Sequence, residues 1–218
     1  MNYNDFMRGV MFGGGSGGGA SNGITSESID YVHFTGASGS CFQLPLTVSA
    51  DHLITVDFEP DEYINYMVIY GTTLGAAVAQ LTQYGGRYYT SNGTSEVNWE
   101  GALTGRHVFE MNKNGYNYFD NVQKNEYTPT TYNNGYYIIA ARTYQGTQQG
   151  VCYKGKMYGF NIKSIATDEN ICNLVPKKLS FTSNEGLTFN TYGLFDTIGG
   201  NFYTAPGLIG GNDNPAVT

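Results

Sequence analysis

At 218 residues the chain is long enough for one domain with a substantial core, and 19 Tyr and 12 Phe beside only 13% charged residues point to short, half-buried strands. A net charge of −7 repels phosphate backbones and disfavours nucleic-acid binding, and no stretch approaches the roughly 18 apolar residues of a membrane span. Cys41, Cys152 and Cys172 are too few and too widely spaced for a disulfide framework or a zinc site, and read as buried free thiols of a protein folded in a reducing cytoplasm.

Residues 1–12 carry Tyr3, Phe6, Met7, Val10, Met11 and Phe12, which are too few to build a core by themselves. Residues 13–19 are GGGSGGG, and the flexible stretch runs on to residue 23. This divides the chain into an N-terminal anchor arm (1–12), a Gly-rich linker (13–23) and a folded body (24–218). A glycine-serine run also fits an engineered fusion scar, but the sticky dozen residues before it favour a natural anchor into a partner. The opening residues lack the apolar core of a secretion signal, so the expected setting is cytoplasmic folding.

From Ile24 onward the apolar residues alternate with a period of two, the pattern of a strand with one buried face. The windows are Ile29–Thr35, Leu53–Phe58, Tyr63–Tyr70, Arg106–Met111, Tyr136–Arg142 and Lys156–Ile165. Ala76–Leu81 is the only stretch with helical character, and Gly71 and Gly75 beside it favour strand or loop. Asn114-Gly115, between Arg106–Met111 and Tyr116–Asp120, supplies two residues that tolerate positive φ and predicts a tight hairpin turn. Asp120-Asn121 predicts a second turn. Turns about every ten residues indicate an antiparallel sandwich.

In their order, Ile29–Gly36, Cys41–Leu46, Leu53–Phe58, Arg106–Asn121 and Gly155–Ile162 resemble the laminin-G-like (concanavalin-A-like) jelly-roll modules of bacteriophage virion structural proteins. The tail is also similar to theirs: Asn173–Pro176, Tyr192–Asp196, Gly200–Tyr203 and Gly207…Asp213. The resemblance covers about residues 29–213, and Asn121 stands where that family usually has Gly. It implies an all-β antiparallel sandwich with an extended N-terminal arm. It further implies a head fibre, decoration or tail adsorption subunit of a virion assembled in the host cytoplasm. Expected partners are other virion proteins bound through the arm, further copies of the chain in a homo-oligomer such as a trimer, and a host glycan. A carbohydrate-binding adhesin module is the second reading and a glycan-degrading enzyme the third, since fold alone does not settle function.

Several constellations bear on the chemistry. Asp57, Glu59, Asp61 and Glu62 are close in sequence, but Pro60 interrupts the alternation and predicts a solvated turn rather than a pair of catalytic carboxylates. No serine of the Gly36–Cys41 stretch sits in a nucleophile elbow, and the glycines of 13–19 lack the Lys-Ser/Thr of a phosphate loop. These points lead to a non-enzymatic assignment with no cofactor. A calcium ion at Asp120 with Asn121, or at Asp213 with Asn212, is the one metal candidate. Lys154 and Lys156 share strand parity and read as an outward, solvated face. Tyr88, Tyr89 and Trp99, with Tyr84, Asn92, Asn98 and Glu100 nearby, form the candidate sugar-binding surface, with core packing as the competing reading.

Overall fold

Burial follows the alternation of β4 (His52–Pro60) residue by residue: His52, Ile54, Val56, Phe58 and Pro60 are buried, while the residues between them are half-buried. The computed structural model describes residues 24–73, 79–91, 96–127, 135–144, 147–182 and 186–213. The arm residues Tyr3, Phe6, Met7, Val10, Met11 and Phe12, the linker, residues 76–78 of the Ala76–Leu81 stretch, and Asn92 lie outside them. The described residues contain no helix.

The strands before β4 are β1 (Ile24–Ser28), β2 (Tyr31–Thr35) and β3 (Phe42–Thr47). After it come β5 (Met67–Thr72), β6 (Gln80–Tyr84), β7 (Arg87–Ser91), β8 (Glu96–Trp99), β9 (His107–Lys113), β10 (Tyr116–Phe119) and β11 (Val122–Glu126). The remainder are β12 (Tyr136–Ile139), β13 (Arg142–Tyr144), β14 (Thr147–Gln149), β15 (Val151–Cys152), β16 (Lys154–Ser164), β17 (Asn170–Thr182), β18 (Thr188–Asp196), β19 (Phe202–Tyr203) and β20 (Ile209–Gly211).

They form two main sheets. The larger runs β11-β10-β9-β4-β16-β17-β18-β19, with β1 on β17, β2 on β16 and β20 on β2. The smaller runs β3-β12-β5-β6-β7-β8, with β15 parallel to β5, and β13 pairs with β14 as a separate hairpin. Every other pairing is antiparallel. The two sheets face each other across a single large core. Tyr70 of the smaller sheet meets Phe160 of the larger at 5.5 Å, and Trp99 stacks on Phe109 at 5.7 Å. Each such ring contributes on the order of 1.5–3 kcal/mol by burial.

The expected meander is present, with β9, β10 and β11 consecutive in the larger sheet. Asn114 and Gly115 have φ of 52° and 80°, and Asp120 and Asn121 have φ of 50° and 63°, so both turns use the left-handed region as expected. Three expectations need correction. Tyr63–Tyr66 is not strand; β5 starts at Met67 and is buried along its whole length rather than alternately. Both faces are covered because the β13–β14 hairpin lies against the side turned away from the core. Gly71 shows this, since a Cβ there would lie 2.5 Å from Arg142 Cβ. Finally, Pro60 does not end β4: it pairs with Gly155, so Glu59 stands on a strand. The three cysteines are free, with Cys152 and Cys172 buried and Cys41 half-buried.

Candidate functional site: a tyrosine pocket on the outer face of the smaller sheet

The β6–β7 hairpin turns on Gly85 and Gly86, with φ of 57° and 76°, values that glycine adopts without steric cost. That turn sets which side chains face outward. Leu81 and Gln83 point into the sandwich: Leu81 joins the core, and Gln83 Nε2 donates to Tyr88 Oη at 3.1 Å and to the Leu103 carbonyl at 2.7 Å. Gln80, Thr82 and Tyr84 point the other way. Across the hairpin Tyr88 lies opposite Gln83 and Tyr89 opposite Thr82, so Tyr88 faces in and Tyr89 out.

The segment before β5 completes the site. Asn65 Oδ1 accepts the Gly85 N–H at 2.9 Å, Tyr63 Oη accepts the Gly86 N–H at 3.0 Å, and Tyr63 Oη donates to Asn65 Oδ1 at 2.8 Å. This network clamps the 63–66 segment onto the hairpin turn. Tyr66 then takes φ 67°, a left-handed conformation that is costly for an aromatic residue, and its carbonyl accepts the Val151 N–H at 2.9 Å. Held this way, its ring lies 4.3 Å from that of Tyr84, which lies 5.4 Å from that of Tyr89.

The result is a pocket of about 150 Å³ lined by Tyr66, Gln80, Thr82, Tyr84, Tyr89 and Arg142. Its rim is aromatic and open, with Tyr66 45% and Tyr84 37% exposed. Its floor is polar and buried, with Gln80 2% and Thr82 3% exposed. Arg142 arrives from the β13–β14 hairpin, which packs closely because Gly71 beneath it has no side chain, and its Nη1 donates to Gln80 Oε1 at 2.5 Å. Thr82 Oγ1 is buried with no hydrogen-bond partner among the described residues. A buried hydroxyl left unpaired costs about 1–3 kcal/mol, and such groups are uncommon in folded proteins.

Of the three residues expected at a sugar surface, only Tyr89 is there. Tyr88 and Trp99 are core residues, 0% and 8% exposed. They sit opposite each other on β7 and β8, stack at 6.1 Å and 19°, and pack against Phe119. Adjacent residues of a strand face opposite ways, so Tyr88 and Tyr89 could not share a surface. Burial pushes the Tyr88 hydroxyl well above its ordinary pKa. Asn98, the cross-strand partner of Tyr89, and Glu100 both accept from Arg87, at 2.9 Å each.

The other candidate residues hold partners within the chain. Asp57 takes a two-point contact from Arg106 at 2.9 and 2.8 Å, and Asp61 meets His33 at 2.8 Å. Glu62 pairs with Lys154 at 2.5 Å, while Glu59 accepts from Tyr158 Oη at 2.5 Å and lies 3.5 Å from Lys156. Lys154 and Lys156 are therefore paired cations rather than a free basic face. Of the calcium candidates, Asp120 accepts from His107 Nδ1 at 2.7 Å and from the Val108 N–H at 2.9 Å. Asp213 pairs with Lys156 at 2.9 Å, which holds its carboxyl below the usual range, and Asn212 Oδ1 accepts the Asp30 N–H at 3.1 Å. Among the described residues no group of three or more His, Cys, Asp or Glu is placed to hold a metal ion, and no helix is long and apolar enough to cross a membrane.

Tyr66, Gln80, Thr82 and Arg142 escape the sequence reading. The signal for two of them is present in Gln80-Leu-Thr-Gln-Tyr-Gly-Gly-Arg-Tyr-Tyr89, a period-two strand on each side of a Gly-Gly turn. Tyr66 and Arg142 reach the pocket from distant parts of the chain and leave no local signal. Comparison with protein-family models, with curated protein sequences and with solved structures finds no match to this chain.

Proposed function

We propose that this chain is a non-enzymatic attachment module: a laminin-G-like jelly roll, displayed on a bacteriophage virion by the arm at residues 1–12, that holds a host glycan at the Tyr66–Tyr84–Tyr89 pocket. The observation that carries this reading is the pairing of exposed tyrosine rings with the buried, unpartnered hydroxyl of Thr82 beneath them. Sugar rings need both surfaces. Their C–H faces stack on aromatic rings, and their hydroxyls exchange hydrogen bonds with amides and hydroxyls such as Gln80 and Thr82. At about 150 Å³ the pocket is smaller than the roughly 300–1,000 Å³ of drug-sized sites, which fits one sugar ring of a longer glycan.

Two further observations support the rest of the reading. The acidic residues near Pro60 are held by Arg106, Lys154, Tyr158 and His33, as structural carboxylates are, which favours binding over hydrolysis. Ile24, Phe181 and Phe189 lie in register across β1, β17 and β18, with Ile24 43% and Phe189 57% exposed. This apolar row stands where the arm joins the body, and suits attachment to a partner there.

The test is a glycan array probed with the wild type and with Tyr84→Ala. Loss of one stacking ring is expected to weaken saturable binding about 2- to 13-fold, the equivalent of roughly 0.5–1.5 kcal/mol. Unchanged binding in a Tyr66→Ala/Tyr84→Ala double variant would overturn the assignment of the pocket.

A further inference from the structure

Cys41 and Cys152 are far apart in the chain and meet in the fold. Phe42 pairs with Ile139 across β3 and β12, which sets Cys41 beside Ala140. The Ala140 carbonyl accepts the Tyr153 N–H at 2.9 Å, which sets Cys152 beside the same residue. Phe42 and Tyr153 belong to the main core, so the cysteines next to them turn to the other side of the smaller sheet. There Cys41 packs against a separate small cluster of Ile138, Ala141 and Cys152. We infer that Cys41 and Cys152 form a disulfide when the protein meets an oxidising pool of small-molecule disulfides, and that this bond latches the turn before β3 onto β15. The inference stands apart from the glycan reading.

The surroundings suit thiol–disulfide exchange. The Cys41 thiol donates to the Cys152 sulfur, which also accepts the Gly39 N–H and the side-chain amide of Gln148. These donors hold the Cys152 thiol below its ordinary pKa, while the contact with Cys152 and burial push Cys41 up. Cys41 is half-buried and within reach of a small molecule, whereas Cys152 is 1% exposed. Exchange therefore begins at Cys41. Its proton passes to Cys152 as its sulfur attacks one sulfur of the external disulfide, whose S–S bond breaks to release one thiolate. That thiolate takes the proton from Cys152. The Cys152 thiolate then attacks the Cys41 sulfur of the mixed disulfide and expels the second thiolate. Two electrons pass from the cysteine pair to the external disulfide, which leaves as two thiols.

The segments joined are ones that little else holds. β3 is an edge strand, and β15 has only two residues, paired with β5. The turn before β3 is closed by the Ser40 N–H on the Ala37 carbonyl at 2.9 Å and tied down by Ser40 Oγ on the Pro206 carbonyl at 2.8 Å. That turn sets both Gly39 and Cys41 against Cys152. β15 also carries Val151, whose N–H holds the Tyr66 carbonyl, so the latch ends on the strand that fixes one wall of the pocket. Cys172 takes no part: it lies in the main core, its thiol bonded to Asp196.

The experiment incubates the full chain with oxidised glutathione, quenches with acid, alkylates the remaining thiols in denaturant and maps the peptides by mass spectrometry. The expected result is a Cys41–Cys152 cross-link with Cys172 alkylated, reversed by dithiothreitol. The bond closes a loop of about 110 residues, so the oxidised protein should melt about 4–15 °C higher than the reduced one. In Cys41→Ser and in Cys152→Ser, oxidation should raise the melting temperature of neither. Alkylation of all three cysteines in the wild type, glutathione left on Cys41, or a cross-link to Cys172 would overturn the bond. A cross-link that leaves the melting temperature unchanged would overturn the latch.

Discussion

The hydroxyl of Tyr153 accepts the backbone N–H of Glu59 at 3.1 Å and donates to the carbonyl of Lys156 at 2.8 Å. Tyr153 is wholly buried, so one side-chain oxygen ties β4 to β16 at the end of their long pairing. Gly155 makes room for it: its φ is 148°, and a Cβ there would lie 2.7 Å from that hydroxyl and 2.3 Å from the Glu59 carbonyl. Tyr153→Phe keeps the ring but leaves two backbone groups unpaired, and is expected to cost about 1–3 kcal/mol. Urea unfolding would measure this as a lower midpoint with an unchanged slope.

His52 makes stability depend on pH. Burial lowers its pKa from the ordinary 6.5, partly offset by nearby Asp51, and Nδ1 lies 2.9 Å from Tyr137 Oη. The unfolded chain takes up a proton as pH falls through 6.5, while the folded protein resists until its lower pKa is reached. The contribution is therefore complete above pH 6.5 and is lost as pH falls below it. Unfolding free energy measured between pH 7.5 and 5 should decline by at most about 1.4 kcal/mol per pH unit from this group. In His52→Gln that part of the slope should vanish.

Gly115 separates conformational strain from crowding. It has φ 80°, yet a Cβ at this position would meet nothing within 4 Å. Gly115→Ala is thus expected to cost about 1–2 kcal/mol through the left-handed backbone alone. Replacing Asn121, at φ 63°, by Gly should be neutral or slightly stabilising. Thermal unfolding of the two variants would show melting temperatures moving apart; equal shifts would contradict the assignment of strain.

Gly71 links the fold to the pocket. Gly71→Ala forces the β13–β14 hairpin away from β5 and is expected to destabilise the protein by about 1–3 kcal/mol. Because the hairpin carries Arg142, which lines the pocket, glycan binding should weaken even at temperatures where the variant is fully folded. A variant that melts earlier but binds with wild-type affinity would show that Arg142 takes no part in recognition.

The sequence made the sandwich legible where one face alone is buried. Ile54, Val56 and Phe58 alternate with polar residues, and Asn114-Gly115 declares its turn by residue type. It concealed β5, whose outer face is covered by the β13–β14 hairpin about seventy residues further along the chain, so Met67–Thr72 has no polar side to alternate with. It misled at Tyr88 and Trp99, because an aromatic near amides looks the same in sequence whether it faces water or the core. Strand phase decides that, and the phase here hangs on the Gly85-Gly86 turn. The pocket stayed hidden for a further reason: Tyr66 and Arg142 are brought to β6 and β7 only by tertiary packing.

The most direct test of the pocket is residue-resolved NMR during titration with the tightest glycan of the array. The account predicts saturable shifts at the Thr82 methyl group and the Tyr66, Tyr84 and Tyr89 rings, with the buried Trp99 indole unmoved. Saturation with no change at Thr82, or with the largest changes at the far face of the larger sheet, would contradict it.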